Sequence, residues 1–180
     1  IGNSLPRFSY SLNLSGDWNN FFVSAFFQGV GKQDWYPSSE CIFWGQYNRP
    51  YNNLPEWHLG NYWTEDNTDA YLPRYAGYNS SLKSTTQTRY LQNVAYIRLK
   101  DLQFGYTLPQ EIVSKAKMQN ARIYISAENL WCWSPLYKHT RDLDVTNIYG
   151  SDPDLTDGGS GDGQSYPQMK SISLGVSVTF

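Results

Sequence analysis

Residues 171–180 read SISLGVSVTF: Ile172, Leu174, Val176, Val178 and Phe180 alternate with Ser171, Ser173, Gly175, Ser177 and Thr179. A period of two places the apolar set on one face of a strand and the polar set on the other. Two architectures accept that pattern. A soluble sandwich turns the apolar face to a core, and a membrane barrel turns it outward to lipid.

Four upstream stretches repeat the alternation. At 7–17, Phe8, Tyr10, Leu12 and Leu14 alternate with Ser9, Ser11, Asn13 and Ser15, and the DWNN stretch that follows predicts a short turn. At 21–31, Phe21, Val23, Ala25 and Phe27 form one face, although Phe22 and Phe26 blur the period. At 94–107, Ile97 and Leu99 share one phase and Leu102, Phe104 and Tyr106 the other. One extra residue at Lys100-Asp101, a β-bulge, would bring all five to a common face and leave Arg98, Gln103 and Thr107 opposite. At 121–131, Ala121, Ile123, Ile125 and Ala127 stand against Arg122, Tyr124, Ser126 and Glu128. With 170–180 this makes five predicted strands.

The connections discriminate between the two architectures. They run short, long, short, long, the long ones covering 33–93 and 133–169. Compact soluble domains rarely carry connections beyond about 15 residues without structure of their own, whereas outer-membrane barrels pair short periplasmic turns with long extracellular loops. That assignment gathers Trp18, Phe21, Tyr106 and Phe180 at the periplasmic strand ends and Phe8, Tyr96, Trp131 and Trp133 at the extracellular ends, two aromatic girdles. No outward position carries a charge, and Arg98, Arg122 and Glu128 fall on the inward face. The expected class is all-β, an antiparallel transmembrane β-barrel segment. Five strands leave two open edges that lipid does not tolerate, so the rest of a barrel is the first expected partner.

Composition agrees. Aromatic residues are 17% of 180, with 15 Tyr and 7 Trp, which suits interfacial belts and sugar platforms. A net charge of −2 with no basic run argues against nucleic acid. No stretch of 18 apolar residues predicts a helical span. The opening IGNSLPRFSY has neither an initiator Met nor a signal peptide, and it reads as the start of a processed product or a fragment. Cys41 and Cys132 permit one disulfide at most, or two unpaired thiols.

Several stretches together carry a family resemblance: IGNSLPRFSYSLNL, FFVSAFFQGVGKQDW, YWTEDNTDAYLPRY, AYIRLKDLQFGYTLP, ARIYISAENLW, SDPD and SYPQMKSISLGVSVTF. In this order the chain resembles the C-terminal part of the SusC/RagA-like family of TonB-dependent outer-membrane transporters. The resemblance implies about the last five strands of a 22-stranded barrel plugged by a separate N-terminal domain, in the bacterial outer membrane of Bacteroidetes. It also implies import of oligosaccharides, or of peptides, beneath a SusD-like surface lipoprotein that acts as a lid. TonB would supply energy through the N-terminal part. Ile172, Leu174, Val176, Val178 and Phe180 would then face lipid, and the terminal aromatic resembles the signal read by the barrel-assembly machinery. Girdle packing alone also accounts for an apolar residue there.

The candidate substrate or lid contacts are Trp35, Trp44, Trp57 and Trp63, in a loop that also holds Tyr36, Tyr47, Tyr51, Tyr62, Tyr71, Tyr75 and Tyr78. Two roles fit these rings: stacking on sugar C–H faces, or forming the loop's own small core and docking surface. Asp152, Asp154, Asp157 and Asp162 invite calcium, yet the ligand spacing of an EF-hand is missing, and Gly158, Gly159, Gly161 and Gly163 read as loop. No cofactor is expected, with calcium there the one alternative. His58 and His139 lack paired zinc spacing and read as surface loop residues satisfied by Tyr or Asn neighbours. The acid pairs Glu65-Asp66 and Asp142-Asp144 say nothing of the separation of about 5–10 Å that glycoside hydrolysis needs, and no serine elbow, P-loop or CxxC occurs. Catalysis is not expected. The competing reading is a secreted β-sandwich glycan-binding module.

Overall fold

The computed structural model describes residues 1–37, 41–76, 85–148 and 166–180. They divide into two compact units.

The sheet unit comprises Phe8–Gly31, Tyr96–Trp133 and Gln168–Phe180. Its strands are β1 (Ser9–Trp18), β2 (Phe21–Val30), β5 (Tyr96–Thr107), β6 (Asn120–Trp133) and β7 (Ser171–Thr179), all antiparallel in the order β1-β2-β5-β6-β7. Each has the nine residues or more that a tilted crossing of a bilayer requires. Asn19 and Asn20, at φ 47° and 69°, form the two-residue link between β1 and β2, and asparagine tolerates this left-handed turn better than most residues. Between β5 and β6 the chain makes a helical turn at Gln110–Val113 that buries Val113, and Lys117 closes the corner at φ 57°.

The register gathers the apolar positions onto one face. Leu12 lies opposite Phe27, Leu14 opposite Ala25, Val23 opposite Phe104, Phe104 opposite Ile125, and Ile125 opposite Leu174. Lys100 is the extra residue that keeps β5 in phase, since Phe26 and Phe27 pair with Asp101 and Leu99. A second irregularity lies in β6, where Asn129 and Leu130 both fall between partners of Leu99 and Asp101 and Asn129 adopts φ 52°. The apolar face stays open to the surroundings: Leu12, Phe104 and Ile125 are about half exposed, and Leu174 is 75% exposed.

The opposite face is mostly polar, and two of its aromatic rings, Phe22 and Tyr124, lie over glycines. One cross-strand row runs Asp17, Phe22, Gly105, Tyr124, Gly175. A Cβ on Gly175 would lie 2.3 Å from Tyr124 Cζ, and one on Gly105 would lie 2.6 Å from Phe22 Cζ, so each ring lies across a bare backbone. The Arg122 guanidinium stands 5.7 Å from the Phe22 ring centroid. Arg98, buried on this face, donates through Nη1 to Gln168 Oε1 at 2.9 Å.

One girdle assignment changes. Tyr96 pairs with Val30 and takes the phase of the polar face, one residue before the outward Ile97. Trp131 and Trp133, paired with Leu99 and Ile97, hold the outward phase. At the opposite strand ends Trp18 pairs with Phe21 and Phe21 with Tyr106, the last two rings 4.8 Å apart.

The loop unit comprises Ile1–Arg7, Lys32–Ala95 and Ser134–Pro167. It contains a two-stranded pair, β3 (Asp34–Trp35) with β4 (Gln92–Asn93), and several short 3-10 turns. No second sheet that could pair with the large one in a sandwich exists among the described residues, which removes the β-sandwich reading.

Candidate functional site

Two surfaces carry functional chemistry: the outward face of the sheet and the loop unit. On the first, Ile172, Leu174 and Val176 of β7 are 73%, 75% and 64% exposed, and Phe180 is 80% exposed. Burying such side chains is worth roughly 1.5–3 kcal/mol each, so a face of this extent left in water would be strongly unfavourable. It carries no charge on any paired outward position. The backbone edges of β1 and β7 have no neighbour among the described residues.

The loop unit has an aromatic core. Phe43, Trp44 and Tyr47, on the 3-10 turn Ile42–Tyr47, are fully buried with Leu72, Val94, Leu136 and Val145 around them. Trp44 Nε1 donates to the Pro37 carbonyl at 3.2 Å, and its ring meets Phe43 and Tyr90 edge-on. The Tyr47 hydroxyl donates to the Pro73 carbonyl, and the Tyr47 ring stacks on Tyr75 with centroids 4.2 Å apart.

Of the four candidate tryptophans, Trp35 and Trp44 therefore lie inside the unit, while Trp57 and Trp63 are half-buried. Trp57 rests on Phe43 at 4.9 Å and on His58 at 4.3 Å. Tyr78 and the acidic stretch from Asp152 to Asp162 lie outside the described residues. Among the described residues no His, Cys, Asp or Glu cluster has metal-binding geometry.

His58 is a core residue, not a surface one. Its side chain is 0% exposed, Nε2 lies 2.9 Å from the Phe43 carbonyl, and Nδ1 lies 2.6 Å from the Tyr75 hydroxyl. A carbonyl only accepts, so the proton sits on Nε2 and Nδ1 accepts from tyrosine. Burial holds the imidazole neutral and lowers its pKa to about 4, against smaller opposing effects of the Phe43 carbonyl and Asp142. Burial likewise pushes the Tyr47 and Tyr75 phenols up. His139 stacks on Tyr71 at 4.5 Å, with burial lowering its pKa. Arg89 binds the carbonyls of Tyr71 and Ala70 at 2.9 and 2.8 Å, and the Tyr71 hydroxyl returns a bond to the Arg89 carbonyl at 2.9 Å. Cys41 is buried in this unit, Cys132 is half-buried on β6, and no disulfide joins them.

The unit also opens a cleft of about 510 Å³, lined by Ile42, Gly45, Asn48, Arg49, Asn52, Asn53, Pro55 and Asp142. Gly45 shapes it: φ 48° and ψ −124° suit only glycine, and a Cβ would lie 2.4 Å from Pro55 Cδ. Asn48 N–H and Asn52 Nδ2 both donate to the Gly45 carbonyl, at 3.1 and 3.5 Å. In the sequence this stretch, NRPYNNLP, reads only as turn-forming residues. No motif marks it as a site, because the cleft forms only when Asp142 is brought to it.

No protein-family description matches the chain. It is similar along its whole length to TonB-dependent receptor P3 of Formosa agariphila, 27% identical over 191 residues that make up 17% of that protein. TonB-dependent receptor P26 of the same organism is 26% identical over 181 residues, 18% of its length. The structure superimposes on the RagAB peptide transporter with a TM-score of 0.62 at 23% identity, over 93% of this chain and 17% of that one. The chain is similar to a segment of TonB-dependent receptors and shares the fold of the corresponding part of RagAB. The chain spans less than a fifth of the relatives it matches, and against RagAB in its closed-closed state the TM-score is 0.63 at 22% identity. The superposition covers 96% of the segment in that state, so the sheet and the loop unit both belong to the shared fold. Both of these relatives are named as receptors.

Proposed function

We propose that the segment is part of the wall and the extracellular surface of a TonB-dependent importer in the bacterial outer membrane. The observation that carries this is the sheet itself. It has five antiparallel strands of 9 to 14 residues, one uncharged apolar face, one polar face and two edges without partners. Such a face suits lipid, and such edges are completed by the rest of a barrel. A 22-stranded barrel with a plug fits the similarity to long TonB-dependent receptors. The polar face, with Arg98, Arg122 and Glu128, then lines the lumen, and the loop unit lies on the outer surface beneath a SusD-like lipoprotein. The cargo is an oligosaccharide or a peptide, and the likeness to a peptide transporter favours the second. Energy comes from TonB acting on a part of the protein outside these residues. Trp57 and Trp63 are the candidate contacts for cargo or lid, since both reach the surface of the unit.

The test is to solubilise the outer membrane of the source organism in detergent and purify the protein that contains this sequence. A chain several times longer than 180 residues that co-purifies with a surface lipoprotein supports the importer. A soluble protein of about 21 kDa in the periplasm or medium overturns it.

A further inference from the structure

We propose that the cleft lined by Ile42, Asn52, Asn53, Pro55 and Asp142 in the loop unit is a recognition site for short peptides with a free N-terminus. The inference rests on the importer reading and gives its cargo a place and a chemistry.

The lining decides the class of ligand. Among the cleft residues are three asparagines, one arginine and one aspartate, with aliphatic surface from Ile42 and Pro55 and no aromatic ring. Sugar sites commonly stack the C–H surface of the ring on an aromatic face, and no ring lines this cleft: Phe43, Trp44 and Tyr47 are buried in the core, and the exposed Tyr51 stands beside the lining, its hydroxyl accepting from Arg49 Nη1 at 3.3 Å. Primary amides offer a donor and an acceptor side by side, which matches the N–H and C=O of a peptide backbone.

Several of these groups are left available by the fold. Asn52 Nδ2 is directed to the Gly45 carbonyl, so its Oδ1 remains to accept. Asn53 is exposed and lines the cleft. Asp142 Oδ2 accepts from Thr140 Oγ1 at 2.9 Å, which fixes the carboxylate and leaves Oδ1 for a donor. An ammonium group meeting that oxygen forms a charge-assisted bond, roughly twice as strong as a neutral one. A volume of about 510 Å³ falls within the ordinary range for small-ligand sites and suits a few residues of extended chain.

The experiment uses the full-length receptor in detergent and measures equilibrium binding of tetraalanine, N-acetyl-tetraalanine and maltotetraose by calorimetry. The expected result is that tetraalanine binds, and that acetylating its amine weakens binding about tenfold. Asp142→Asn should cost the free peptide about the same factor and leave the acetylated peptide unaffected, because the pair has already been broken. Asn53→Ala should weaken both peptides several-fold. Asp142 and Asn53 are exposed, so both variants should keep the fold, checked by thermal melting. Equal binding of the two peptides to the native receptor and to Asp142→Asn overturns the site. So does binding of maltotetraose in place of peptide. A receptor that retains its lipoprotein yet binds no tetraalanine refutes the cleft while leaving the importer reading intact. A chain recovered as a soluble protein refutes both.

Discussion

His58 ties the loop unit together by giving two hydrogen bonds a place in a dry core. Its Nε2–H satisfies the Phe43 carbonyl, and its Nδ1 satisfies the Tyr75 hydroxyl. The bond from Tyr75 needs an unprotonated Nδ1 and burial disfavours the charged ring, so the pH dependence follows with a definite sign. Above the ordinary pKa of 6.5 the folded and unfolded states are both neutral and stability is complete. Between 6.5 and about 4 the unfolded chain takes up a proton that the folded core refuses, and stability falls as pH falls. Below about 4 both states are protonated and the loss stops growing, at on the order of 3 kcal/mol. Amide exchange of segment 42–58 in the intact receptor, corrected for intrinsic rates, should show protection declining across that window. Unchanged protection from pH 6.5 to 4.5 would mean that the ring is solvated. Nothing in the sequence marked His58 as special. A lone histidine carries no spacing signal, and its partners lie 15 and 17 residues away, joined only by the folded loop.

At the scale of the strand, the two faces of β7 should respond oppositely to the same substitution. Leu174 lies at mid-strand on the outward face, beside Ile125, and Ser173 points to the polar side beside Ser126. Leu174→Arg should destabilise the assembled receptor by about 2–4 kcal/mol, the cost of an arginine facing lipid near mid-bilayer. Ser173→Arg should change stability by less than about 1 kcal/mol, since that face is polar. Denaturant titration of the receptor folded into lipid vesicles gives both values, and equal costs would refute the assignment of faces. These faces were legible because a two-residue period survives even with an interruption. Ile97 and Leu99 against Leu102, Phe104 and Tyr106 demanded an extra residue, and Lys100 supplies it. Tyr96 was misassigned for the same reason that its neighbours were right: it is aromatic and near a strand end, but it is one residue out of phase with Ile97. The irregularity at Asn129 left no mark, because Ala127, Trp131 and Trp133 keep a common parity through it. Loop packing was the least legible, since which of four tryptophans turns inward depends on contacts far apart in the chain, such as Trp44 with Tyr90.

At the scale of the molecule, the two units meet different physical demands. The loop unit buries Phe43, Trp44, Tyr47, Leu72, Val94 and Leu136 and so has a core of its own. The sheet unit exposes its large apolar side chains and ends in two strands, β1 and β7, whose outer edges have no partner among the described residues. Each edge presents a row of backbone N–H and C=O groups, and in hydrocarbon every unsatisfied group costs several kcal/mol. Detergent can cover the apolar face, yet it supplies no hydrogen bonds to the edges. The 180-residue segment refolded alone should therefore associate edge to edge, and the complete receptor should not. Light scattering in detergent, with gel mobility of unheated and heated samples, separates the two cases. The segment is expected to give polydisperse species without a heat-sensitive compact band, and the complete receptor a single species with one. A monodisperse compact segment would mean that its edges close on themselves, which five strands are too few to do as an outer-membrane barrel.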